Sequence, residues 1–127
     1  VYKRQAGMEA RGFIFGSSIA NNRGIGFIPI RKSGKLPSRT YSESYGLEYG
    51  SDTLEIHSDA CSENSKVLIV DDVLATGGTA VAATDLIIAA SLIPTSLVFL
   101  LEIAALGGRS RIKQAHGGLQ IQTILAE

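Results

Sequence analysis

The chain has 127 residues, 45% hydrophobic and 19% charged, which fits one globular domain and excludes a disordered chain. Twelve Lys plus Arg offset twelve Asp plus Glu, so no global basic field recruits nucleic acid, and the longest apolar runs, such as Leu97–Leu101, are too short to span a bilayer. A single cysteine, Cys61, excludes an internal disulfide and a multi-cysteine zinc site. No apolar signal-peptide core follows Val1–Gln5, so a soluble cytoplasmic protein is expected.

Apolar runs bounded by turn residues alternate with helix-like stretches, the pattern of an α/β fold with a mainly parallel sheet. The chain opens on a gap in that pattern. Lys3-Arg4-Gln5 makes a poor buried strand, so the strand that normally feeds a turn such as Gly7-Met-Glu-Ala-Arg-Gly12 is expected to be missing. Backbone amides of such a turn, just before a helix, can point at a diphosphate; the plainer reading is a tight turn with Glu9 and Arg11 as a surface ion pair. Phe13 to Asn22 reads as that helix, ended by Asn-Arg-Gly at 22–24, and Phe27 to Arg31 as a strand. Arg31-Lys-Ser-Gly-Lys35 then places three cations in five residues, with Arg39 soon after. A cluster leaving a strand end can neutralise a departing pyrophosphate, although a solvated basic loop is the default for it in isolation. From Ser33 to Ser58 the chain is polar and rich in tyrosine and glycine, which predicts an irregular, mobile excursion.

Val67 to Val70 reads as a buried strand, and a helix opens at Gly78 or Thr79 and runs to about Ala90. The end of a parallel strand delivers its side chains to the crevice where α/β proteins bind ligands, and Asp71 and Asp72 stand there. The following Ala75, Thr76, Gly77, Gly78 and Thr79 form a small flexible turn whose amides can converge on a monophosphate at the helix N-terminus. Carboxylates beside a phosphate make sense if they accept hydrogen bonds from a sugar diol and face a ligand-held divalent metal. A Walker A loop is excluded, because no G-K-[ST] follows the glycines. Pro94 ends the helix connection, Ser96 to Glu102 is the next strand, Gly107 to Gln114 a short basic helix, and Leu119 to Leu125 a last strand. His57 and His116 show no ligand spacing and read as structural.

Val67-Leu-Ile-Val-Asp-Asp-Val-Leu-Ala-Thr-Gly-Gly-Thr79 resembles the phosphoribosyl pyrophosphate (PRPP) motif of the type I phosphoribosyltransferases. Its Ala-Thr-Gly-Gly-Thr ending, with Gly7–Gly16, Arg31–Pro37 and Ser44–Gly50, is similar to the adenine phosphoribosyltransferases. The resemblance implies a type I phosphoribosyltransferase α/β fold and transfer of ribose 5-phosphate from PRPP to adenine, giving AMP and pyrophosphate. By the same resemblance Asp71 and Asp72 hold the ribose, Ala75 to Thr79 the 5′-phosphate, and Glu9, Ala10, Arg11, Arg31, Lys32 and Lys35 the pyrophosphate. Glu48 is the acid/base, Ile103 packs on the purine, Glu9–Ala10 is a cis peptide, and Glu55 stays an ordinary exposed hairpin charge. Magnesium is expected mainly on PRPP, with no direct protein ligand, and a homodimer without nucleic-acid or membrane partners.

The resemblance begins at Ala6, so the core domain is taken as 6–127 with 1–5 an atypical leader; the family's N-terminal strand and purine-covering hood are expected to be absent. Asn64 and Cys61 depart from the family's commoner glycine and aliphatic residue. Two rivals remain: a non-catalytic module that senses PRPP or nucleotides, and a related enzyme using xanthine or another purine. A third reading is that the fragment is inactive for want of strand and hood.

Overall fold

The computed structural model of the chain describes residues 4–47 and 50–127. Its elements, in order, are β1 (Arg4–Met8), α1 (Arg11–Arg23), β2 (Gly26–Lys32), β3 (Thr40–Leu47), β4 (Gly50–His57), β5 (Lys66–Leu74), α2 (Gly78–Ala89), β6 (Ile93–Glu102), a 3-10 turn (Ala104–Leu106), α3 (Gly108–Ala115) and β7 (Gln120–Ala126). They form a seven-stranded sheet in the order β3-β4-β2-β1-β5-β6-β7. The run from β2 to β7 is parallel throughout, and β4 and β3 close one edge as an antiparallel hairpin.

Strand β1 corrects the expectation of a missing strand: Arg4–Met8 occupies the middle of the sheet, between β2 and β5. Position in the sheet overrides the poor local propensity of Arg4-Gln5. Ala6 and Met8 are buried apolar residues, and the fully buried Gln5 amide donates to the carbonyls of Ala6 and Leu68. With β1 central, β1-α1-β2 steps one way along the sheet and β5-α2-β6 the other. The right-handed rule for parallel crossovers assigns α1 and α2 to opposite faces, and the carboxyl ends of β1 and β5 flank a topological switch point.

The described residues of the span 33–58 are also more regular than its composition implies. Leu54 and Ile56, two apart on β4, are buried against the core, while the exposed face carries polar pairs such as Ser44 with Thr53, whose hydroxyl oxygens are 2.9 Å apart. A period-2 signal of only two apolar residues, facing a polar partner strand, is too short to read from sequence. Proline falls inside β6 rather than ending the connection before it. Pro94 lacks a ladder donor, the register skips there, and the Thr95 hydroxyl donates to Val67 O at 2.9 Å.

Gly24, in the left-handed region at φ 65°, ends α1 by donating to Ala20 and Asn21 carbonyls. Ala80, Ala82, Ala83, Leu86 and Ile87 of α2 are all buried, because the helix is covered by the sheet and by the hairpin. The core joins these to Ile28, Ile30, Ile69, Leu97, Phe99 and Ile112. No helix among the described residues is long and apolar enough to cross a membrane.

Candidate active site

Strand β5 runs to Leu74, past the Val70 end expected for it, so Asp71 and Asp72 lie within the strand, near its carboxyl end at the switch point. Asp71 is set against α1: a Cβ on Gly12 would lie 2.9 Å from its Oδ1, so only glycine lets the helix approach this closely. Burial pushes the Asp71 carboxyl up to about 7 despite a hydrogen bond from the Asp72 N–H, and the adjacent Asp72 charge adds to the rise. Asp72 is paired with Arg11, Nε to Oδ2 2.6 Å. Arg11 therefore covers one of the two acids expected to accept hydrogen bonds from a sugar diol.

Three separately recognised stretches converge here. Glu9, Ala10, Arg11, Lys32, Asp71, Asp72 and Thr79 line one cleft of about 240 Å³, together with Met8, Tyr45 and Leu54. Ala75, Thr76, Gly77 and Gly78 line an adjoining hollow of about 60 Å³. A larger trough, about 830 Å³, lies between α1 and the face of β5–β7, lined by Ser18, Asn22, Thr95, Gln120 and Gln122 among others. It has neither an acid nor a glycine turn, so the chemistry belongs to the smaller cleft.

The glycine turn is held by backbone. Gly77 has φ 88°, and a Cβ on it would lie 2.8 Å from the Gly108 carbonyl oxygen. Gly108 in turn packs on Ala75, so the turn is backed by the start of α3. Helix α2 has no side-chain cap and no acidic residue in its first turn, leaving its first N–H groups to an anion. The backing segment is fixed by Arg109, which makes a bidentate pair with Glu102 (2.8 to 3.2 Å) and donates to Ile121 O at 3.1 Å. The pair holds Glu102 below the usual carboxylate range and raises Arg109. His116 joins α3 to Asp85 of α2 at 2.8 Å, consistent with a structural reading.

The basic stretch is held by carboxylates. Glu9 Oε1 accepts from the Lys32 N–H at 2.6 Å and from Arg31 Nε at 3.3 Å, so this acid fixes the cations instead of facing an anion. The Glu9–Ala10 peptide is cis. Arg31 also lies over the Phe13 ring, 5.9 Å from its centre. Lys32 Nζ meets Asp52 Oδ2 at 3.1 Å; that hydrogen bond raises Lys32 and lowers Asp52.

Glu55 departs most from its reading as a plain exposed charge. It accepts from Gly34 N–H (2.7 Å), Thr40 Oγ1 (2.9 Å) and Ser42 Oγ (3.1 Å), the Gly34 bond first among the causes that lower its pKa. It thus ties the turn after β2 to both hairpin strands. Nothing in the sequence marks this, because Gly34 and Glu55 are 21 residues apart.

Three expected residues do not line the cleft. Arg31 is turned onto Glu9 and Phe13 and is absent from the cleft walls. Lys35 is exposed beyond it, and Ile103, half-buried after β6, lines neither the cleft nor the hollow. Glu48 lies outside the described residues. Among those residues no group of three or more His, Cys, Asp or Glu is placed to hold a metal.

Residues 6–98 match the model of the phosphoribosyl transferase domain. The chain is 58% identical over 106 residues to the adenine phosphoribosyltransferase of Acidothermus cellulolyticus, covering 84% of this chain and 60% of that protein. It therefore spans about 60% of the length of that curated relative. It superposes on the adenine phosphoribosyltransferase of Thermoanaerobacter pseudethanolicus with a TM-score of 0.94 at 45% identity, over 100% of this chain and 72% of that one. The Saccharomyces cerevisiae adenine phosphoribosyltransferase, complexed with an imino-altritol bisphosphate and adenine, gives 0.91 at 39% identity, over 98% and 68%.

Proposed function

The chain belongs to the phosphoribosyl transferase domain family, and on that premise we propose that it carries the PRPP half of an adenine phosphoribosyltransferase, an enzyme converting PRPP and adenine to AMP and pyrophosphate. The observation that carries this reading is the single cleft in which Asp71, Asp72 and Thr79 of one motif meet Glu9, Ala10 and Arg11 of a second and Lys32 of a third. Adenine as acceptor is supported by the relatives, one of them complexed with that base.

In this reading the 5′-phosphate rests on the amides and hydroxyls of Ala75–Thr79, and the ribose diol donates to Asp71 and Asp72. The bond from the anomeric carbon to pyrophosphate breaks, purine N9 forms the new bond at that carbon, and Glu48 takes the purine proton. Lys32, Arg31 and Arg11 neutralise the departing pyrophosphate, and Lys35, exposed beyond the cleft, adds charge from a distance. Each of the first three exchanges an in-chain carboxylate for the ligand's phosphate oxygens, and as Arg11 leaves Asp72 it frees that acid for the diol.

Magnesium fits the donor set as a ligand-borne ion that would supply positive charge to the leaving group: two adjacent hard carboxylates line the cleft, and a nearby cation would return the buried Asp71 to its ionised form. A cytoplasmic homodimer belongs to the same reading.

Incubation with PRPP, magnesium and adenine should yield AMP and pyrophosphate in equal amounts, with hypoxanthine, guanine and xanthine failing to compete. Binding of PRPP without any AMP would make the chain a sensing module, and preferential use of xanthine would replace the acceptor.

A further inference from the structure

The turn Ala75–Thr79 contains no cation, yet a phosphate dianion held by neutral amides and hydroxyls alone is held less firmly than one that also meets a charged donor. One guanidinium stands beside it. Arg111 Nη1 lies 3.2 Å from where a Cβ on Gly78 would be, with the edge of the Tyr45 ring 3.4 Å from the same point.

Gly78 is not among the glycines with positive φ, so its backbone makes no demand for glycine; the space its side chain would fill is taken by Arg111 and Tyr45. That space lies over the first turn of α2, whose N–H groups no side chain caps. Arg111 is aimed there by a well-anchored helix. Ile112 is fully buried, Gly108 packs on Ala75, Arg109 is tied to Glu102 and Ile121, and the Arg111 N–H itself donates to Gly107 O at 3.1 Å.

Its charge is also unspent. Arg11, Arg31 and Lys32 each face a carboxylate, whereas the Arg111 side chain has no ion-pair or hydrogen-bond partner among the described residues.

Building on the PRPP reading above, we propose that Arg111 is the cationic wall of the 5′-phosphate cradle, a binding residue reaching the phosphate from α3, outside the local motif. A guanidinium there selects a sugar carrying a dianionic phosphate over the unphosphorylated sugar, and leaves the pyrophosphate end untouched.

Calorimetric titration of the whole chain with ribose 5-phosphate and, separately, with magnesium pyrophosphate tests this on wild type, Arg111→Ala and Arg111→Lys. Arg111→Ala should weaken ribose 5-phosphate by about tenfold or more, the scale of one lost charge-assisted hydrogen bond, with pyrophosphate unchanged. Arg111→Lys should recover part of the loss. Equal ribose 5-phosphate affinity in wild type and Arg111→Ala overturns the proposal, as does an equal loss for both ligands. Wild type that binds neither ligand overturns the PRPP reading itself, and this inference with it.

Discussion

At the Ala75–Thr79 end of the cleft the proposed binding groups are backbone amides held by glycine packing, Gly77 against Gly108, while at the Arg31–Lys35 end they are side-chain cations held by carboxylates, Arg31 by Glu9 and Lys32 by Asp52. The first end is shaped before ligand arrives. The second is charge-compensated and must trade partners: Lys32 and Arg11 are 55% and 77% exposed, so their present ion pairs contribute little to stability and yield readily. The contrast fits two tasks, one phosphate that stays bound through the reaction and one that leaves.

Mutations at the two ends should differ in kind as well as size. Gly77→Ala puts a Cβ on a residue at φ 88° and against the Gly108 carbonyl, and should cost about 10- to 100-fold in PRPP affinity by calorimetry. An unchanged affinity would mean the turn does not touch the ligand.

Asp71 adds a pH signature between the two ends. Its folded carboxyl titrates near 7 against 3.8 for the free side chain, so from about pH 4 upward the unfolded chain ionises while the folded one resists. Stability present below pH 4 is therefore lost progressively as pH rises to about 7, by up to a few kcal/mol. Asp71→Asn should flatten that decline in melting temperature between about pH 4 and pH 7; a parallel decline in the variant would place its cause elsewhere.

The smallest effect is expected at Glu55. Glu55→Ala releases Gly34, Thr40 and Ser42, and should raise the KM for PRPP about three- to tenfold with kcat nearly kept, Glu55→Gln restoring part of it. An unchanged KM would leave Glu55 a surface charge.

The same contrast explains what the sequence made legible. The proposed phosphate turn is contiguous with its strand, from Val67 to Thr79, so strand, acids, glycines and helix start read off one string. The proposed pyrophosphate end depends on contacts across the chain, Glu9 with Arg31 and Glu55 with Gly34, 22 and 21 residues apart, and no local pattern encodes them. Arg111 escapes for the same reason. The parallel sheet follows from alternation of apolar runs and helices, but β1 does not: Arg4 and Gln5 have the wrong composition, and only the slot between β2 and β5 makes a strand of them. The β3–β4 hairpin was hidden by its polar face, with Leu54 and Ile56 its only strong inward signal on β4.

The most direct test is titration of the chain with magnesium PRPP, followed by thermal unfolding at saturation. A one-site isotherm and a melting temperature that climbs with ligand concentration, both shifted to about 10- to 100-fold higher PRPP in Gly77→Ala, are the predicted result, because a ligand bound only by the folded state must stabilise it. No heat and no shift at millimolar PRPP would contradict the account.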